Sequence, residues 1–227
     1  MEQTRTRILK MLKRNGGSTI GELSELLDAS ATAVRRHLKA LEAQGLVYHR
    51  MEQRGPGRPS YVYELKAEGP DVFKGSYVAF VDSIRQEMVT SNGHKPPHEV
   101  FDRHQAKRQE HYVTVTQGET LPDRVAVMAR LMESEGRMAT WQQLNEDRFI
   151  LREHNCPFHR FDGDFDYPCH WEQDLLEQTL QANIKRLCHI RQGDVACVYE
   201  IEKQPAGRII DFPEPQHAAR PDVTRAA

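Results

Sequence analysis

The chain has 227 residues, a formal net charge of −2 and 28% charged residues, which is the composition of a globular protein with a polar surface. No apolar run approaches the roughly 20 residues that a membrane-spanning helix needs. The basic N-terminus also carries no apolar stretch or cleavage site of a secretory signal. We therefore expect a cytoplasmic protein without a membrane segment, in which thiols stay reduced.

The charges are divided unevenly along the chain. Residues 1–66 carry 12 Lys and Arg against 7 Asp and Glu, whereas the remaining residues carry 19 against 26. A positively charged region suits a phosphate backbone and an acidic region does not. Any contact with nucleic acid is therefore expected within the first 66 residues.

The first 45 residues have the periodic apolar positions of three helices. The breaks between the helices are Asn15-Gly16-Gly17 and Asp28-Ala29-Ser30, residue types that end and cap helices. Thr19 and Glu22 have the spacing of a capping box. The predicted helices cover residues 4–14, 20–27 and 31–44.

After Gly45 the apolar period changes from that of a helix to that of a strand. Residues 46–50 and 61–65 are predicted as two strands, and the Gly- and Pro-rich segment 54–59 between them as a turn. A hairpin with a basic tip that follows three helices is typical of a winged helix-turn-helix. We predict this fold for residues 1–66.

The third helix is the predicted DNA reader, because the second helix of a helix-turn-helix enters the major groove. Its outward positions carry Thr and basic residues, and Arg can read guanine with two hydrogen bonds. Arginines on the wing can reach the minor groove or the flanking phosphates. A winged helix that binds protein is the alternative. The predicted DNA contacts are Thr32, Arg35, Arg36, Lys39, Arg54 and Arg58.

The rest of the chain is predicted as a linker, a second domain and a tail. Residues 67–70 form the linker, residues 71–212 form a domain of helices and antiparallel strands, and residues 213–227 are too polar and proline-rich to pack. The predicted fold class is therefore α+β. Predicted helices cover 71–88, 98–111, 121–135 and 171–184, and predicted strands cover 139–144, 149–154, 186–191 and 195–202.

The helix predicted over residues 71–88 has an apolar stripe that could join two copies of the chain. A homodimer would give the two-fold symmetry that palindromic DNA sites require. The alternative is that the stripe faces the core of its own domain, as in most amphipathic helices. The stripe consists of Phe73, Tyr77, Phe80, Ile84 and Met88.

All four cysteines lie in the second half, at Cys156, Cys169, Cys188 and Cys197. In a reducing compartment such clustering favours metal or redox chemistry over structural disulfides. Cys169 precedes a predicted helix, whose N-terminal dipole would stabilise a thiolate. Cys188 and Cys197 can also be read as buried small apolar residues.

The register of the last predicted hairpin decides which side chain lies opposite Cys197. With a two-residue turn at Gln192-Gly193, Cys188 faces Cys197. With a three-residue turn, His189 faces it instead. Clustered cysteines suit an iron–sulfur cluster, which usually has four thiolate ligands, and the sequence leaves both Cys188 and His189 open as the fourth ligand.

Zinc is the alternative to an iron–sulfur cluster. His159 and His170 lie close to Cys156 and Cys169, and zinc accepts Cys and His together. Structural zinc sites usually contain cysteines two to four residues apart, and this chain has no such pair. The long gap between Cys156 and Cys169 suits a larger cofactor that several elements hold.

The segment from Thr19 to Val47 and the wing residues 54–65 resemble winged-helix repressors of the ArsR and DeoR type. The motif NCPF at Cys156, the following Cys169 and GDVACVYEI at Cys197 narrow the resemblance to the SufR family of iron–sulfur cluster assembly repressors. The resemblance extends to about Glu202. It implies a homodimer that binds operator DNA while it holds a [4Fe-4S] cluster and releases DNA when the cluster is lost.

The resemblance assigns three cluster ligands to Cys156, Cys169 and Cys197. The remaining family cysteine would lie near Asn183, whereas the nearest cysteine here is Cys188. No nucleophile elbow, phosphate-binding loop or catalytic carboxylate pair is visible, so we predict neither an enzyme nor a small-molecule substrate. Two other functions fit the same residues: a zinc- or thiol-based redox repressor, and a metal-binding scaffold or storage protein without an operator.

Overall fold

The computed structural model describes residues 2–53, 59–66, 73, 80, 81, 84, 97–158 and 167–204. Over these residues the chain forms six α-helices, seven strands and one short 3-10 helix. The helices are α1 (Glu2–Asn15), α2 (Ile20–Leu27), α3 (Ala31–Ala43), α4 (Pro97–Thr116), α5 (Leu121–Ser134) and α6 (Tyr167–Leu180). The strands are β1 (Ser18–Thr19), β2 (Val47–Glu52), β3 (Ser60–Leu65), β4 (Ala139–Gln143), β5 (Arg148–Glu153), β6 (Ala182–Cys188) and β7 (Cys197–Lys203), and the 3-10 helix covers Ile190–Gln192.

The first 66 residues form three helices and an antiparallel sheet with the order β1-β3-β2. Helix α2 begins at the predicted capping box: Thr19 Oγ1 accepts a hydrogen bond from the Glu22 amide at 3.2 Å, and the Glu22 carboxylate accepts one from the Thr19 amide at 2.6 Å. One apolar core joins α1, α2 and α3 to the hairpin. Residues 54–58 at the wing tip, with Arg54 and Arg58, lie outside the described residues.

The second sheet is antiparallel with the order β4-β5-β7-β6. Helices α5 and α6 contribute Met128 and Leu176 to its core, where they pack with Leu151 from β5 and Ile201 from β7. A winged helix followed by helices and an antiparallel sheet confirms the predicted α+β class. No helix in the described ranges has the length and apolar character to cross a membrane.

Two elements near the cysteines were predicted about four residues from their true positions. Helix α6 starts at Tyr167 rather than at residue 171, and β6 starts at Ala182 rather than at residue 186. Pro168 suggested a loop, but proline fits the first turn of a helix because no intrahelical partner exists there for its missing N–H. Gln181, with a φ of 50°, then separates α6 from β6.

The predicted apolar stripe is only partly visible, because Tyr77 and Met88 lie outside the described residues. The Phe80 ring packs against Phe158 of the same chain, with ring centroids 5.2 Å apart. Phe73 packs against the core of the winged helix. These two side chains therefore support the alternative that the stripe faces its own chain. The linker 67–70 and the tail 213–227 also lie outside the described residues.

Candidate functional site

Helix α3, the predicted DNA reader or recognition helix, packs on the winged-helix core with one face and exposes the opposite face to solvent. Its N-cap, Ser30, accepts a hydrogen bond from the Ala33 amide at 3.2 Å. Val34 and Leu38 are fully buried in the winged-helix core. This anchoring leaves the outward face, at helical spacing, in solvent. The exposed side chains on that face are Thr32, Arg35, Arg36 and Lys39.

The charges of α3 differ from those of the neighbouring hairpin. Arg50 on β2 is neutralised by Glu52 and Glu64, each 2.7 Å from its guanidinium. In contrast, no ion pair joins Arg35, Arg36 or Lys39 to any carboxylate that the structure describes. An exposed, unpaired cationic face is the electrostatic feature that a phosphate backbone recognises.

Three of the four cysteines are buried at the ends of different elements. Cys156 follows β5, Cys169 lies in the first turn of α6, and Cys197 begins β7. Their exposed fractions are 6%, 5% and 3%. The neighbouring Cys197 thiol, together with burial, raises the pKa of Cys156. This thiol is therefore protonated at neutral pH until a cation or cofactor displaces its proton.

His189 lies beside one of these three cysteines, Cys169. Its side chain is 7% exposed, and its Nε2 lies 3.4 Å from Cys169 Sγ. The side chain of Asp194 holds the His189 backbone in place, because the His189 amide donates to Asp194 Oδ2 at 2.7 Å. We name Cys156, Cys169, His189 and Cys197 the cysteine site.

Backbone amides also point at two of the sulfurs. The Phe158 amide donates to Cys156 Sγ at 3.4 Å, and the Ile190 amide donates to Cys197 Sγ at 3.5 Å. Hydrogen bonds of this kind stabilise thiolates and tune the potentials of iron–sulfur clusters. Arg186 adds a positive charge nearby, since it donates to the Cys169 carbonyl and lies 5.6 Å from the Tyr199 ring centre.

The last hairpin uses both predicted registers but neither predicted turn. From Ala182 to Arg186 the ladder has the register of the two-residue turn, and it then shifts by one residue, so that Cys188 pairs with Val198 as in the three-residue register rather than with Cys197. The connection between the strands spans residues 189–196 and contains the 3-10 helix and Gly193 with a φ of 97°. This longer connection leaves Cys188 half-buried at the end of β6 and turns His189 toward Cys169.

The residues of the zinc alternative are not brought together in the described part of the chain. His170 is exposed on α6, and His159 lies outside the described residues. Within the described ranges, no group of three or more His, Cys, Asp and Glu side chains already has the arrangement that holds a metal ion. The contacts of the cysteine site are pairwise, Cys156 with Cys197 and Cys169 with His189.

A buried charge cluster lies beside the cysteine site, and sequence reasoning missed it. Arg137 lies 3.0 Å from Glu153 and 2.9 Å from Glu172, while Arg108 lies 2.9 Å from Glu172 and 3.0 Å from Glu135. Glu153 pairs with Cys197 across β5 and β7. Apart from Glu135 and Arg137, which also lie 3.0 Å from each other, the partners are at least 16 positions apart along the chain, so no local pattern could have indicated them. We name Arg108, Glu135, Arg137, Glu153 and Glu172 the charge cluster.

Residues 1–48 match the family described as winged helix-turn-helix DNA-binding. A comparison with curated protein sequences found no match. The N-terminal part of the chain is thus a winged helix-turn-helix domain, whose partner is double-stranded DNA. Such domains are typical of transcription regulators that are not enzymes.

Replacing Arg35 with Ala is expected to weaken binding to a specific DNA site by about 1–3 kcal/mol and to relax the preference for one base pair. Lys39→Ala should weaken binding to all sequences alike and lower the salt slope by about 1, because it removes a phosphate contact. Affinities measured on specific and scrambled duplexes at several salt concentrations separate the two effects.

The matched control is Lys185→Ala, which removes one positive charge from an exposed position on β6. It should leave both affinities unchanged. Equal losses for Arg35→Ala on specific and scrambled DNA would show that Arg35 contacts phosphate rather than a base.

Proposed function

We propose that this protein is a homodimeric repressor of iron–sulfur cluster assembly genes that senses iron or redox state through a [4Fe-4S] cluster. The observation that carries the proposal is the cysteine site: two buried pairs, Cys156 with Cys197 and Cys169 with His189, occur in a chain that has a DNA-binding domain. Cys156, Cys169 and Cys197 are the proposed thiolate ligands, and His189 is the proposed fourth ligand.

The donor set fits such a cluster. Iron–sulfur clusters are held by soft thiolates, and histidine replaces cysteine in some of them. Burial keeps water from the sulfurs, and amide donors at Cys156 and Cys197 compensate negative charge. When bound, the cluster would supply a group whose integrity depends on iron and oxidants.

The site joins elements that are distant in sequence, so binding of a cluster would affect how these elements are held relative to one another. Cys156 follows β5, and Cys169 belongs to α6. His189 lies in the last hairpin connection, and Cys197 begins β7. Ligation would hold these segments together, and loss of ligation would release them. A homodimer with two winged helices at fixed spacing would translate that change into operator affinity.

The interaction between the buried Cys156 and Cys197 thiols favours a second candidate, a thiol-based redox repressor. In that case the purified protein is colourless, and its response to oxidants needs no iron. The same purification therefore distinguishes the two candidates.

Anaerobically purified protein is expected to show broad visible absorption and about four iron and four sulfide per protomer. Single changes of Cys156, Cys169 or Cys197 to Ser should each abolish the absorption, because each removes one ligand of a buried site. Cys188→Ser is the matched control, since Cys188 lies outside the site. A variant that keeps its full iron and sulfide content removes that cysteine from the proposed ligand set.

The operator arm of the test compares loaded and emptied protein on one DNA fragment at one salt concentration. The loaded form is expected to bind more tightly. Equal affinity of the two forms would show that the cluster is structural and not the switch.

A further inference from the structure

The winged helix contacts the part of the chain after residue 70 at a residue next to the cysteine site. We name that part the sensor half, after its proposed function. Gly16 lies in the turn that follows α1, and a Cβ atom placed on it would lie 2.7 Å from Val195 Cγ2. Val195 itself is two residues before Cys197. The backbone of the turn therefore rests on the Val195 side chain, so closely that any residue larger than glycine would displace one of them.

A second contact reaches the other side of the site. Asn155 directly precedes Cys156 and is 4% exposed. Its Nδ2 donates to the carbonyls of Phe73 at 3.0 Å and Gly136 at 2.8 Å. Since the Phe73 side chain packs against the winged-helix core, this amide ties the segment that carries Cys156 to the DNA-binding domain.

An ion pair adds to the same face. Arg14, in the last turn of α1, lies 3.8 Å from Glu133 near the end of α5. The end of α1 and the turn after it thus face the sensor half. The recognition helix α3 packs on α1 in the same core, so a displacement of α1 would displace α3 as well.

We propose that the Gly16–Val195 contact and the Asn155–Phe73 hydrogen bond set the orientation of the winged helix according to the state of the cysteine site. Val195 and Asn155 are each within two residues of a thiol, so a shift of the Cys156 or Cys197 segment moves them directly. An element that both sites bias is the physical requirement for coupling. This inference rests on the proposed function, because it names how occupancy of the same site is regulated to affect DNA.

The contact is first tested with Val195→Ala in the full chain. The ratio of operator affinities between loaded and emptied protein is expected to fall toward one, from a value in the range of about 5- to 150-fold that is usual for such coupling. Iron and sulfide content should stay normal, because Val195 is not a ligand. Leu187→Ala is the control: Leu187 is 48% exposed on the same hairpin and Val195 is 47% exposed. Unchanged coupling in Val195→Ala overturns the proposal.

A cross-link tests the same contact from the opposite direction. A Cβ atom placed on Gly16 would lie 3.7 Å from Val195 Cβ, which is within the roughly 3.5–4.5 Å range of disulfides. In the double variant Gly16→Cys and Val195→Cys, exchange with oxidised glutathione under argon would form the disulfide and release two glutathione thiols. Peptide mapping locates the bond, and the single Val195→Cys variant, which keeps Gly16 and cannot form the bond, is the control.

The cross-linked protein is expected to bind the operator equally well when loaded and when emptied, and reduction should restore the difference. A difference that survives the cross-link overturns the proposed contact. If wild-type protein shows no difference at all, the proposed switch fails. The cross-link then still tests the contact itself. A change in operator affinity on oxidation shows that the contact influences DNA binding, and an unchanged affinity shows that it does not.

Discussion

Replacing Glu172 with Gln is expected to lower the free energy of unfolding of the sensor half by about 3–5 kcal/mol, the usual cost of removing one partner of a buried ion pair. Glu172 is 2% exposed and accepts hydrogen bonds from Arg108 and Arg137. Burial alone would raise the pKa of Glu172, but the two guanidinium groups outweigh it and lower the pKa. The neutral side chain of glutamine would leave the buried guanidinium groups of Arg108 and Arg137 without the carboxylate that they share.

The matched control is Glu153→Gln in the same cluster. Glu153 is 1% exposed and contacts only Arg137 among the two arginines, at 3.0 Å. Burial raises the pKa of Glu153, as does the neighbouring negative charge of Glu172, although Arg137 opposes this rise. A carboxyl that already tends to hold a proton resembles glutamine, so this change should cost less than about 1.5 kcal/mol, the net worth of an ordinary hydrogen bond.

Tryptophan fluorescence during urea unfolding measures this difference, because both tryptophans, Trp141 and Trp171, lie in the sensor half. Emptied protein under reducing conditions should be used, so that ligation does not contribute. Similar midpoints for the two variants would show that the cluster shares its charge evenly rather than depending on Glu172.

The difference in unfolding free energy between wild type and Glu172→Gln should depend on pH. A carboxylate whose pKa is lowered on folding stabilises the protein above its unfolded pKa of about 4.3 and loses that effect as pH falls through the folded pKa. The stability gap between wild type and Glu172→Gln should therefore be full at pH 7 and shrink below about pH 4. A gap that stays constant at acid pH would contradict the lowered pKa.

The winged helix could be predicted from the sequence because its signals are local. Thr19 with Glu22 marks the start of α2, Ser30 marks the start of α3, and both lie within one turn of the residues they cap. Each boundary was therefore encoded by side chains only three residues apart.

The sensor half was predictable in class but not in detail. The α+β pattern was correct, whereas α6 and β6 were displaced because Pro168 and Gln181 act through backbone conformation rather than through apolar period. The charge cluster depends on residues such as Arg108 and Glu172, 64 positions apart. Only the folded chain brings such partners together.

The hairpin shows why the fourth ligand could not be decided from the sequence. Both readings assumed a tight turn, since Gln192-Gly193 has the composition of one. The ladder instead contains an irregularity at residues 186–188 and a long connection with a 3-10 helix. A shift of one residue exchanges Cys188 for His189, so the local geometry alone decides which side chain enters the site.

Replacing His189 with Ala is expected to speed the loss of iron to a chelator by at least tenfold, because changes even to groups that only support metal ligands cost roughly 10- to 100-fold in affinity. Cys188→Ser is the matched change one residue away and should leave the rate unchanged. His189→Cys should restore slow loss, since it returns a soft donor to the same position. Absorption at several times after chelator addition gives the rates.

Nitrogen ligation has its own spectroscopic signature. Electron–nuclear double resonance of the reduced protein with 15N-labelled histidine should show a strongly coupled nitrogen in wild type and Cys188→Ser, but not in His189→Ala or His189→Cys. We propose His189 for this role because its Nε2 lies 3.4 Å from Cys169 Sγ, while Cys188 pairs with Val198. Rapid iron loss in Cys188→Ser with normal retention in His189→Ala would reverse the assignment and give the fourth position to the Cys188 thiolate.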